Sequence, residues 1–463
     1  MTLNKIRKKI RTNFTPAQQI ALSFASVILT GAFLLSLPIS NKLIGPTFID
    51  HLFTSTTAVC VTGLTTVVLV DQYTLFGQIV IIGLMQIGGL GLMTLIAVFV
   101  IFVSGKLSLA NRLALNEAVN FFNLNDFNHF IKNILKYTLV FETIGVILYA
   151  TRFVPEFGWS RGLFISVFTA VSAFVNAGLD IIGPVSLQAY VHDPIVNFTT
   201  MYLIVVGGLG FGVWFDLSQG SKSLIRRSHP VHYVINHLKV HTKLAITTTL
   251  CLIFGGALIL LLIEFNNPAT IQTFNFFDKV MASLFQSVTT RTAGFATLNM
   301  ASMKAASLII MMILMFIGGS PGGTAGGIKT TTFAILLLMI FSELASKKEI
   351  VVFNRKIERE QFRKAFVIAF ILLMTVTTGI ILLSIIEPFE TLEIAFESVS
   401  AIATVGLSMG ITSSLSDYGK IIIISLMYLG RIGPLTLLLS INRKQTSKKG
   451  QEISYPSTDI LIG

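Results

Sequence analysis

Four short glycine segments are the residues of this chain best placed to do chemistry: VCVTGLTTV, FVNAGLDII, TRTAGFATL and IATVGLSMG, centred on Gly63, Gly178, Gly294 and Gly406. They lie 115, 116 and 112 residues apart. Leu64, Leu179, Phe295 and Leu407 follow the glycines, and Val61, Asn176, Thr292 and Thr404 stand two positions before them, with Thr62, Ala177, Ala293 and Val405 between. The chemistry this pattern suits is that of the backbone. A ring of carbonyl oxygens can replace the hydration shell of a dehydrated cation, and glycine tolerates the conformations that turn carbonyls toward an axis. One such segment alone would read as a helix kink. Four in register predict a selectivity filter built from Val61-Thr62-Gly63, Asn176-Ala177-Gly178, Thr292-Ala293-Gly294 and Thr404-Val405-Gly406.

A second feature recurs behind the first. Some 24 to 29 residues past each filter glycine come QIGGLGL, VVGGLGF, FIGGSPGGTAGGIK and YLGRIGP. The third holds Gly318, Gly319, Ser320, Pro321, Gly322, Gly323, Thr324, Ala325, Gly326 and Gly327, followed by Ile328 and Lys329, and no ordinary helix accommodates it. Non-helical backbone at membrane depth must be buried in protein or line a cavity, so a loop beneath the filter is expected. It imitates a phosphate loop, but Ile328 separates Gly327 from Lys329, whereas G-x-x-x-x-G-K-[ST] needs them adjacent after a strand; nucleotide binding there is rejected. Arg431 takes the slot held by Gly89, Gly208 and Gly319. An arginine at mid-helix costs at least about 2.5–3.5 kcal/mol in lipid, so it should face the pore or a carbonyl or carboxylate partner. The expectation is an electrostatic barrier that also anchors the Gly-rich loop; a structural ion pair remote from the pore is the competing reading.

The elements that must hold these segments can be read from composition. Only 12% of the residues are charged and 53% are hydrophobic, with a mean hydropathy of +0.78, against about 25% charged in soluble proteins. Apolar runs of 18 or more residues recur, which predicts transmembrane helices. The first run, about Gln19 to Pro38, is longer than a signal h-region of about 7–15 residues and is expected to be a retained span. Short runs near Phe48–Ala58, Ser160–Phe174, Asp278–Thr290 and Leu392–Ala403 precede the glycine segments, too short to cross a bilayer but suited to half-helices whose negative C-terminal ends favour a cation. The expected architecture is an all-α integral membrane protein: eight transmembrane helices in four repeats of helix, pore helix with filter loop, and helix, around a pseudo-fourfold pore. The units run 1–105, 106–220, 221–345 with the gating loop at 318–329, and 346–463.

The net charge of +12 resides between spans: Lys5–Arg11, Lys106 and Arg112, Lys222–Lys243, Lys347–Lys364, and Arg443–Lys449. Asp180, Glu264, Glu387, Glu390, Glu393 and Glu397 lie near the half-helices. The positive-inside rule then puts both termini in the cytoplasm of a plasma membrane and the filter outside, and nucleic acid is not an expected partner. Cys60 and Cys251 support neither a disulfide framework nor a four-cysteine zinc site. His229, His232, His237 and His241 lack a ligand pattern beyond the His237/His241 pair and read as a basic loop touching a partner or lipid headgroups.

These motifs resemble the membrane subunits of the Ktr/Trk/HKT superfamily of potassium transporters, over essentially the whole chain. The resemblance implies K⁺ as the transported ion, with Na⁺ stimulation left open. It also implies a homodimer with one pore per protomer, and a cytosolic nucleotide-binding ring such as KtrA on the basic inner face. This chain itself should carry no cofactor and no catalytic residue; nucleotide belongs to the partner. In that superfamily serine in the first loop goes with Na⁺ selectivity, so glycine at all four positions favours K⁺. A Na⁺-conducting member of the same superfamily remains an alternative. A carrier rocking on inverted repeats is disfavoured because all units share one topology, and an intramembrane enzyme because no span shows a reactive constellation.

Overall fold

The computed structural model describes residues 16–91, 127–225, 230–346 and 349–433. The basic clusters Lys5–Arg11, Lys106 with Arg112, Arg226 with Arg227, Lys347 with Lys348, and Arg443–Lys449 lie outside the described residues, as does His229.

Among the described residues, four helices are long and apolar enough to cross a membrane. They belong to α1 (Pro16–Ser36), α4 (Phe127–Phe157), α9 (Val240–Glu264) and α13 (Arg359–Ile386). Each is followed by a shorter helix: α2 (Phe48–Cys60), α5 (Trp159–Val175), α10 (Phe276–Thr289) and α14 (Thr391–Ile402). These match the expected half-helices to within two residues at their starts and ends. Local capping explains three of the starts. Thr47 and Asp50 satisfy each other's backbone donors at α2, Glu390 and Glu393 do the same at α14, and the Asn275 side chain accepts from Asp278 N at 2.8 Å at α10.

The helices that come next are short or interrupted near the recurring glycine motifs, and the Gly-rich loop expected in the third repeat separates two of them. Helix α3 (Leu75–Leu90) has 16 residues, about 24 Å at 1.5 Å per residue. Helices α6 (Pro194–Gly208) and α7 (Phe211–Ile225) meet at 96° across a break of two residues. The short α8 (Val231–His237) then leads into α9. Helices α11 (Ala305–Phe316) and α12 (Thr330–Leu344) are separated by the Gly-rich loop, and α15 (Asp417–Ile432) again has 16 residues. Counting the bent pair as one span gives five crossings by length and composition among the described residues.

Glycines near the ends of three of these helices have a packing role. At Gly88, Gly207 and Gly430 an added Cβ would land on the carbonyl oxygens of Val59, Phe174 and Ile402, each four residues before a filter glycine. Glycine there lets one helix backbone rest on the end of another. At the corresponding Gly318 the neighbour is instead Gly326 O, inside the loop's own fold.

The short helices form the centre. Residues 53–62, 168–179, 285–295 and 396–407 are buried without interruption, inside one continuous apolar core that includes Phe53, Phe174, Phe285 and Phe396. Two hydroxyls tie this centre to the surrounding helices: Ser55 Oγ donates to Ile28 O of α1 at 2.7 Å, and Ser287 Oγ to Ile253 O of α9 at 2.7 Å. Buried hydroxyls need such partners. A two-stranded hairpin, Val351–Val352 with Arg355–Lys356, is the only sheet among the described residues.

Candidate functional site

Each short helix ends in the same strained step. Val61, Asn176, Thr292 and Thr404 adopt left-handed conformations, with φ of 56°, 62°, 64° and 52°, and two residues later Gly63, Gly178, Gly294 and Gly406 have φ of 107°, 66°, 80° and 96°. A β-branched residue at positive φ is rare and costs roughly 1–2 kcal/mol. Its appearance at three of four equivalent positions marks a conformation held by its surroundings.

The four glycines close a ring. A Cβ on Gly63 would stand 3.1 Å from Gly406 Cα and 3.3 Å from Gly178 Cα; one on Gly294 would stand 3.1 Å and 3.3 Å from the same two atoms. Each glycine also abuts a neighbouring loop's carbonyl. The added Cβ would lie 2.8 Å from Ala177 O at Gly63 and 2.5 Å from Val405 O at Gly294, and closer still to Ala293 O at Gly178 and Thr62 O at Gly406.

The donors of these loops point back into their helices. Thr62 N donates to Thr57 O (2.9 Å), Ala177 N to Ser172 O (2.7 Å), Ala293 N to Thr289 O (3.0 Å) and Val405 N to Ser400 O (2.8 Å). Gly63 N donates to Thr57 Oγ1 at 2.9 Å, and Gly406 N to Ser400 Oγ at 3.0 Å. Among the described residues no hydrogen bond ends on the carbonyls of Thr62, Ala177, Ala293 or Val405, although these residues are buried. Buried carbonyls without partners are uncommon, and four around one ring form a preset array of negative dipoles.

The ring separates two different surfaces. On one side it floors a depression of about 400 Å³, lined by the four glycines and residues that follow them, such as Thr66, Asp180, Asn299 and Thr412. On the other lies the Gly-rich loop, which touches the left-handed residues. Thr324 Oγ1 meets Asn176 Oδ1 at 3.1 Å, Gly326 N donates to Thr292 Oγ1 at 3.2 Å, and Gly326 packs on Thr404 Oγ1. The loop is ordered by backbone bonds, Gly318 N to Ile328 O (2.8 Å) and Ser320 N to Gly208 O (2.8 Å), and by Ser320 Oγ against Thr330 Oγ1 at 2.8 Å.

Arg431 reaches this loop from α15. Its guanidinium donates to Thr324 O and to Gly88 O, and among the described residues it makes no salt bridge. Lys329 Nζ donates to Ala325 O at 2.6 Å. The two cations thus clasp the loop by its carbonyls.

One residue escaped the sequence reading. Arg291, beside Thr292, is buried, donates to Leu314 O of α11 at 2.7 Å, and leaves Nε and Nη1 without partners. A cation inside the otherwise uncharged segment TRTAGFATL is the signal that points to it. His232, His237 and His241 do not converge, and no group of three or more metal-binding side chains occurs among the described residues.

Residues 4–452 match the family described as TrkH, cation transport protein. The chain belongs to that family. It is 40% identical to Ktr system potassium uptake protein B of Bacillus subtilis over 463 residues, covering all of both chains, and 37% identical to potassium/sodium uptake protein NtpJ of Enterococcus hirae, covering 99% of each. The fold is that of the potassium transporter TrkH from Vibrio parahaemolyticus, with a TM-score of 0.70 at 17% identity over 91% of this chain and 84% of that one. The resemblance drawn from the four glycine segments is thereby borne out, and this TrkH-family chain is a membrane protein of cation transport rather than an enzyme.

Proposed function

We propose that this chain takes up K⁺ across the cytoplasmic membrane through the ring of Gly63, Gly178, Gly294 and Gly406. The observation that carries the reading is the set of buried, unpartnered carbonyls at Thr62, Ala177, Ala293 and Val405. Oxygen dipoles fixed around one axis match what a dehydrated monovalent cation needs, and the relatives named for potassium uptake support K⁺ as the cargo. The inward driving force is the membrane potential, about 2.3 kcal/mol per charge per 100 mV.

In this reading the chain forms four units, each with one continuous and one shortened or broken crossing, making eight in all with both termini cytoplasmic. Breaks in the second helices are tolerated because they lie against other protein rather than lipid. Residues 318–327 form the gate beneath the filter, and Arg431 with Lys329 holds it and opposes cation passage. The functional assembly is a homodimer on a cytosolic nucleotide-binding ring of the KtrA kind.

The test is radioactive rubidium uptake into K⁺-loaded proteoliposomes, with K⁺, Na⁺ and Li⁺ as competitors. Block by K⁺ alone is expected. Equal block by Na⁺ favours the second reading, a K⁺/Na⁺ pathway, which the similarity to a potassium/sodium uptake protein supports.

A further inference from the structure

The depression outside the ring carries a single charged side chain among the described residues that line it, Asp180. It stands two residues past Gly178, where the other three loops place Thr65, Ala296 and Ser408. Its carboxylate accepts from Ile182 N at 3.2 Å, with Gly183 N and the Ser186 hydroxyl also beside it, and no described cation pairs with it. The opposite wall is neutral at its surface: Ser408 and Thr412 line it, while Glu397 is fully buried behind them, taking a hydrogen bond from Thr412 Oγ1. The mouth of the ring therefore has one fixed negative charge, off the axis, on the second loop.

We propose that Asp180 collects cations at the outer mouth, its lone carboxylate raising the local concentration of monovalent cation at the ring and making entry sensitive to external ionic strength. The inference rests on the transport reading above. A charge at the rim of a low-dielectric cleft focuses its field into the opening. Since the residue touches no element of the Gly-rich loop, its removal should alter entry and leave gating alone.

The experiment compares wild type, Asp180→Asn and Asp180→Glu by rubidium uptake into K⁺-depleted bacterial cells that lack their own K⁺ uptake systems, with membrane expression matched. At about 10 mM external ionic strength Asp180→Asn should be slower by about threefold, and at about 300 mM, where the Debye length is under about 10 Å, the difference should vanish. The Asp180→Glu variant, which keeps the charge, should keep the wild-type dependence on ionic strength. Equal rates at both ionic strengths, or an equal loss at both, would overturn the proposal while leaving the pathway standing. No uptake by wild type would instead overturn the pathway itself, and this inference with it.

Discussion

Thr324 and Asn176, 148 residues apart in sequence, meet side chain to side chain at 3.1 Å. One belongs to the Gly-rich loop and the other is the left-handed residue of the second filter segment, so the proposed gate and filter share a hydrogen bond. Thr324 Oγ1 also lies 3.3 Å from Phe174 O, so its single proton faces two acceptors. Thr324→Val keeps the shape and removes the hydroxyl; net hydrogen bonds of this kind contribute about 0.5–1.5 kcal/mol. We expect higher rubidium uptake by the chain reconstituted alone, where a closed loop limits flux. Unchanged uptake would separate the loop from gating.

Arg431 donates to Thr324 O and Gly88 O, bridging the loop to the last turn of α3. Arg431→Ala removes both bonds and the positive charge. Uptake or leak should rise, and Arg431→Lys, which restores charge but cannot fork to two carbonyls, should fall between. A flux in Arg431→Ala equal to wild type would remove the barrier role.

Gly294→Ser tests the ring. The new Cβ would lie 2.5 Å from Val405 O, and φ is 80°, so both space and conformation oppose it, at a conformational cost of about 1–2 kcal/mol. Rubidium uptake should drop, and Na⁺ should compete better against the remainder. Wild-type competition profiles in this variant would show that the ring does not discriminate between ions.

The positions of the short helices are legible in the sequence because their apolar runs end at glycines with a fixed period. The backbone just beyond them is less so. Val61 and Thr404 are β-branched, and nothing in their types announces a left-handed conformation; the tertiary setting imposes it. The glycines of the second helices, Gly88, Gly207 and Gly430, stand out as a recurring motif, but what they pack against does not show in the sequence. They rest on Val59 O, Phe174 O and Ile402 O, partners that become visible only in three dimensions. Arg431 stands out by its charge, yet its two carbonyl partners come from distant segments that no spacing rule connects. Arg291 is masked by the repeat, whose period picks out Thr292 and Gly294 beside it and has no slot for a cation.

Lys420 of α15 pairs with Asp50 of α2 at 2.8 Å, with their side chains only 12% and 10% exposed. The bond joins the last described helix to the first short helix. Lys420→Met leaves Asp50 poorly solvated, and loss of a charged hydrogen bond of this kind costs about 1.5–3 kcal/mol. A lower melting temperature in detergent is expected, with recovery in the Lys420→Met/Asp50→Asn double variant. Equal melting of wild type and Lys420→Met would show that the pair contributes nothing to assembly.

The carbonyl contacts around the ring run in one rotational sense: Gly63 leans on Ala177, Gly178 on Ala293, Gly294 on Val405 and Gly406 on Thr62. Compensation between substitutions must inherit that sense. A bulkier residue at Gly178 should be rescued by changes in the third segment and not by changes in the first, so a suppressor screen would trace the circle in a single direction.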